Sequence, residues 1–213
     1  MNRCTSRSSV TQALKKAMEA DAYRLRSGMS GQSIVEFAMV LPLMLTLVLG
    51  IIEVGYALYE NHIIITMARE GSNLISRQST MDEAEGAIGA ASSGPVNLSN
   101  DGKLIFSVVR FGTGGANLNQ AIISQRRAVG TISANSILGD PPTSAYNGGP
   151  NYTAKNPDND LSIRVSGSLP NGLTLMAGQS FYITEIYTTH EAITPFSKFG
   201  ITLPTQLYAS AYF

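Results

Sequence analysis

Hydrophobic and polar positions divide the chain into three textures. A polar, basic opening of about thirty residues gives way to GQSIVEFAMVLPLMLTLVLGIIEVGYALY (31–59). Within it, Phe37–Ile52 is sixteen residues without a charge. A hydrocarbon core about 30 Å thick needs ~20 helical residues. Ile34 and Val35 before Glu36, and Val54–Tyr59 after Glu53, extend the run to that length. Tyr56 and Tyr59 then fall where interfacial aromatics sit. Past Tyr59, ENHIIITMAREGSNLISR keeps Ile63, Met67, Leu74 and Ile75 at helical spacing. That spacing predicts one helix running on to about Arg77 with an amphipathic outer half. Glu60 and Glu70 on this half are expected to face water. Glu53, near the exit of the span, is an acid without an assigned role.

Beyond this helix, Thr80 followed three residues later by Glu83 is a capping-box pattern and predicts a short helix over Met81–Ala91. The texture then changes to short β-rich runs between turn residues. LIFSVVRF (104–111) and AIISQRR (121–127) flank GTGGANLNQ as a hairpin. Strands are also expected at LSIRVSGSL (161–169), QSFYITEIYTTHEAI (179–193) and the terminal QLYASAYF, with a long polar loop over 139–160. Along YITEIY, alternation predicts one buried and one wet face. The fold class expected is α+β, with a long N-terminal transmembrane helix that leaves the membrane and packs on a small antiparallel sheet. Three segments follow: a leader over 1–31, the helix over 32–78 and an exported α+β domain over 79–213.

Charge sharpens the membrane assignment. Residues 1–31 hold six bases (Arg3, Arg7, Lys15, Lys16, Arg24, Arg26) against Glu19 and Asp21, a net of +4. The other nine bases and thirteen acids leave 32–213 at −4. Basic residues before an apolar span hold that end in the cytoplasm and send the C-terminal part across the membrane. A cleaved secretory signal fits poorly, because the apolar run is long and no A-x-A site follows it. The only cysteine, Cys4, lies in the leader, so no intramolecular disulfide forms. Charged residues make up only 14% of the chain against roughly 25% in ordinary soluble domains, which agrees with a membrane setting.

Two features inside the apolar helix carry information. Pro42 costs a soluble helix ~3 kcal/mol, but a membrane helix tolerates it with a kink. Glu36 is the fifth residue counting from Gln32, which follows Gly31. A basic leader, a glycine, four residues, a glutamate and an apolar helix resemble the class III signal of type IV pilins. Cutting between Gly31 and Gln32 would create an ammonium at Gln32, which Glu36 of a neighbouring subunit could neutralise. An ion pair in apolar surroundings adds little net stability but penalises wrong registers.

Further elements extend the resemblance: Val35-Glu36-Phe37-Ala38, Leu41-Pro42, Gly50-Ile51-Ile52-Glu53-Val54-Gly55 and Ala68-Arg69-Glu70-Gly71. Together with Gly31 these resemble the opening of the TadE-like family of tight-adherence pilus proteins. The resemblance implies a minor pseudopilin of a type IVb-like pilus or related secretion system. Its implied partners are a prepilin peptidase, other pilin and pseudopilin subunits, an inner-membrane assembly platform and membrane lipid. The implied location is the bacterial inner membrane, single-pass, with a cytoplasmic N-terminus and a periplasmic C-terminal domain, and incorporation into a pilus. It also implies a late strand, a proline turn at Thr194-Pro195-Phe196 and a final strand. The alternative is an uncleaved single-pass protein whose periplasmic domain binds a ligand or envelope partner.

No catalytic constellation accompanies these signals, and an enzyme is not expected. His62 and His190 lie far apart without metal-ligand spacing, so each is expected at the surface, exposed or hydrogen-bonded. There is no Gly-x-Ser-x-Gly elbow or P-loop. Asp158-Asn159-Asp160 lacks the rest of a calcium loop and reads as a turn. No metal or other cofactor is expected. Arg126-Arg127 is too small a basic patch for nucleic acid.

Overall fold

In the computed structural model, residues 6–92, 94–169, 175–176, 178–195 and 204–213 are described, with side chains omitted at 6–10 and 22–30. The chain divides into two compact units, Met1–Ile52 and Glu53–Phe213. The first is helical throughout its described part, and it belongs to helix α1, Ser6–Ser76. Phe196 of the expected proline turn lies outside the described residues.

The second unit is α+β. It contains the outer part of α1, helix α2 (Met81–Ala91), a short helix α3 (Leu98–Asp101) and strands β1 (Gly102–Phe111), β2 (Ala121–Gly130), β3 (Ser180–Thr189) and β4 (Gln206–Tyr212). These strands form one antiparallel sheet in the order β2-β1-β3-β4. The outer part of α1 buries Ile64, Met67, Ala68 and Ile75, residues three, four and seven apart and so on one helical face. That face lies against Phe106, Val108, Ile186, Ala209 and Ala211 on one side of the sheet. Ser72 adds a buried hydrogen bond, its hydroxyl donating to the Ala211 carbonyl at 2.8 Å.

Gly71 marks the closest approach. A Cβ there would stand 2.9 Å from Thr184 Cγ2 and 3.0 Å from Phe106 Cε1. Gly71→Ala is therefore expected to destabilise the unit by about 1–3 kcal/mol through overpacking, outweighing the ~1 kcal/mol of helix propensity gained. Thermal unfolding of the purified protein checks this; an unchanged or raised Tm would mean that the contact gives way at no cost.

Helix α2 forms where its cap predicts. Glu83 N–H donates to Thr80 Oγ1 at 3.2 Å, and Thr80 N–H donates to Glu83 Oε2 at 2.9 Å. The Thr80 backbone N–H is the main cause holding the Glu83 carboxyl below its usual range. Met81, Ala84 and Ile88 are spaced to face inward, and all three are buried.

The far face of the sheet departs from the simple alternation. Ile183–Thr188 are all buried, so neither face of β3 is wet. The segment 131–169 lies over that face, with Leu138, Tyr146 and Ile163 packing on Val109, Ile122 and Ile183. No strand forms over 161–169; Leu161–Ile163 is a 3-10 turn, and Val165 N–H donates to the Ala121 carbonyl beside β2. Glu185, an acid within this alternation, is fully buried. It accepts hydrogen bonds from the Ile137 N–H at 2.9 Å, the Tyr187 hydroxyl at 3.1 Å and the Ser136 hydroxyl. Arg126 completes the network, donating to Ser107 and Ser136 and pairing with Asp140 at 3.1 Å. Burial pulls the Arg126 guanidinium below its ordinary range, while Glu185 and Asp140 oppose the shift.

Candidate functional site

In the first unit, Gly31, Gln32 and Glu36 are exposed on α1. A Cβ at Gly31 would meet nothing within 4 Å. Gln32 and Glu36 lie one turn apart on the same side, and Gln32 Nε2 donates to Glu36 Oε1 at 2.9 Å. Glu36 is followed by sixteen residues without a charge, most of them exposed large hydrophobics. Such a surface is stable only in lipid or against other helices. Among the described residues one helix, Gly31–Ser76, is long and apolar enough to cross a membrane. Helix α1 continues through Pro42. The proline has no N–H to offer the carbonyl one turn back. Thr46 Oγ1 donates to the Pro42 carbonyl at 2.6 Å, a bond that satisfies the hydroxyl within the helix itself.

The second unit opens on Glu53, which is 1% exposed. Glu53, Tyr56 and Glu60 follow at helical spacing on the face that continues to Ile64 and Met67. Glu53 Oε1 and Oε2 accept the N–H groups of Ile193 at 3.2 Å and Thr194 at 2.8 Å. His190, just past the end of β3, stands between the two acids. Its Nδ1 lies 2.5 Å from Glu60 Oε2, and its Nε2 lies 3.4 Å from Glu53 Oε1. The longer contact lacks hydrogen-bond alignment, so Nε2 has no hydrogen-bond partner among the described residues. The backbone fixes the ring from behind: His190 N–H donates to the Thr205 carbonyl at 2.8 Å. Tyr56 sits beside the imidazole with ring centroids 6.2 Å apart.

This cluster corrects two expectations. Glu60 does not face water; it is 3% exposed. His190 is 5% exposed and internal, whereas His62 is exposed as expected. Two buried carboxylates flank one imidazole, a costly arrangement in which a hydrogen bond joins the ring to Glu60 alone. The paired amides of Ile193 and Thr194 point their dipoles at the Glu53 carboxylate. The two ring nitrogens face opposite acids, an arrangement that holds elements together and gathers no ligands around a common centre. Among the described residues no group of three His, Cys, Asp or Glu is placed to hold a metal ion.

The spacing of Glu60 with Ile64, Met67 and Ile75 was the sequence signal for its burial. No sequence signal connected it with His190, 130 residues away.

A model of the TadE-like protein family matches residues 31–73. The match begins at Gly31 and takes in Gln32, Glu36, Pro42, Glu53 and Glu60, while His190 and the sheet lie beyond it. No curated protein and no solved structure matches the chain.

Proposed function

We propose that this chain, whose segment 31–73 is TadE-like, is a non-catalytic minor pseudopilin that a prepilin peptidase cuts between Gly31 and Gln32. The TadE-like match itself implies a role related to tight-adherence pilus assembly, with contact to other pilus components. The apolar helix fits a single-pass membrane protein. In the proposed arrangement residues 1–31 stay in the cytoplasm as a leader. Helix 32–78 spans the inner membrane and continues beyond it, and 79–213 is the exported domain. Pro42 kinks the span. Glu36 sets the register of neighbouring subunits by meeting the new ammonium of Gln32, alongside the inner-membrane platform that gathers them.

The observation that carries this reading is Glu36: an exposed carboxylate one turn after Gln32, at the head of an uncharged apolar surface. In lipid alone such an acid gains nothing, whereas between stacked helices it selects one register. Glu53 belongs to a different task. Bonded to Ile193 and Thr194 and facing His190, it ties the base of the exported fold to the helix.

Intact mass and N-terminal sequencing of membrane-extracted protein test the processing step. In cells with a prepilin peptidase the chain is expected to begin at Gln32, and without the peptidase to keep residues 1–31. A full-length chain in both backgrounds would sink the cleavage claim and favour an uncleaved anchor.

A further inference from the structure

Strand β2 forms one edge of the sheet, and the described residues cover only half of that edge. Near its start the chain adds its own cover. Val165 N–H donates to the Ala121 carbonyl, Ala154 N–H to the Ser124 carbonyl, and Arg126 N–H to the Tyr152 carbonyl at 3.1 Å. The cover ends at Arg126. Pairing alternates along an antiparallel ladder. Thr131 N–H donates inward to the Gly102 carbonyl, and Arg126 N–H points outward, which also turns the amide and carbonyl of Ala128 outward. Ala128 and Gly130 are exposed, and among the described residues no hydrogen bond occupies the outward Ala128 N–H.

Two cavities flank this bare stretch on opposite faces of the sheet. On the helix side a cavity of about 600 Å³ has Gly86, Gly89, Leu98, Leu104 and Val129 in its lining. Its acids, Asp82 and Glu85, are occupied by the Tyr152 hydroxyl at 2.7 Å and by Arg127 at 2.8 Å. On the far side a cavity of about 410 Å³ is lined by Lys103, Arg126 and Arg127, with Asp140 as its one acid and Tyr146 and Asn147 at its wall. Arg127 uses Nε on Glu85 and stacks on the Tyr152 ring at 4.5 Å, so its guanidinium is held at the boundary of both cavities.

We propose that the open half of β2, around Ala128, is a docking edge for an extended strand of a partner protein whose side chains alternate between apolar and acidic. Strand addition supplies main-chain bonds to Ala128, and the two-residue period drops successive side chains into opposite cavities. The cavity on the helix side takes the apolar side chains. Arg126 and Arg127 are already paired with Asp140 and Glu85. Lys103 donates to the Ala134 carbonyl and has no ion pair with an acid among the described residues, so it selects carboxylates in the other cavity, a complementarity that also favours encounter. An uncovered edge is an aggregation hazard unless shielded; here a defined partner shields it.

The test uses the full chain in detergent micelles with an alternating valine–glutamate octapeptide. Expected results are binding by fluorescence anisotropy, slowed amide exchange at Ala128 in NMR spectra, and affinity about tenfold weaker for Lys103→Glu. The same peptide N-methylated on alternate amides, on the edge that pairs, should bind far more weakly. Absence of binding, unchanged exchange at Ala128 with bound peptide, or equal affinity for an alternating valine–lysine octapeptide would overturn the proposal.

Discussion

His190→Ala is expected to destabilise the unit Glu53–Phe213 by about 3–5 kcal/mol, the usual cost of removing one member of a buried ionic group. The imidazole separates two carboxylates that are 1% and 3% exposed. Without it Glu53 retains the amides of Ile193 and Thr194, but Glu60 loses its 2.5 Å partner while only 3% exposed. A domain of ordinary stability has only about 5–15 kcal/mol to lose, so the variant is expected to unfold many degrees earlier. Thermal unfolding in micelles, followed by near-ultraviolet tyrosine dichroism, measures this. A double-mutant cycle isolates the cause: with Glu60→Gln already present, His190→Ala should cost at least about 1 kcal/mol less than it does alone. Strictly additive losses would show that His190 acts by packing, not by charge.

Glu36→Val is expected to leave insertion intact and reduce piliation to background. Removing an acid from a span eases insertion, by up to ~2.5–3.5 kcal/mol at the helix centre and less near an interface. The unit Glu53–Phe213 is left as it is, because Glu36 belongs to the other compact unit. Only the proposed pairing between subunits is lost, and with it the penalty on wrong registers. Membrane fractionation reports insertion, and electron microscopy of the cells reports filaments. Normal piliation by a stably inserted Glu36→Val protein would remove the assembly role from this residue.

Much of the fold was legible because its signals are local. The helix end near Arg77, the capping box at Thr80 and the strands around 104–111, 121–127 and 179–193 each follow from spacing within a dozen residues. What escaped was set by distant chain. LSIRVSGSL alternates like a strand, yet Ile163 is spent on covering the sheet face, and the segment joins β2 through one isolated bridge, Arg164 to Ile122, instead of a ladder. The alternation in YITEIY hid the burial of both faces, because nothing in it announces Ser136, Ile137 and Arg126. The same holds for the acids of α1: Glu53 and Glu60 break an inward face whose apolar spacing was visible, and their partner arrives from the far end of β3. Gly31, Gln32 and Glu36 were legible as a motif. Their shared turn shows which side of the helix they occupy, a detail that the spacing already implied.

The hydrogen bond from Gln32 to Glu36 gives the uncut chain a resting state. If residues 1–31 are the leader proposed above, then before cleavage the acid already has a neutral donor from its own turn, so it does not stand as a bare charge soliciting neighbours. Under the proposed cleavage, Gln32 keeps that side chain and gains an ammonium beside it. Each acid then chooses between a weak bond at home and a stronger charged donor next door. Subunit joining becomes an exchange of partners instead of a capture, which leaves early contacts reversible and gives misaligned helices time to separate before the filament closes around them.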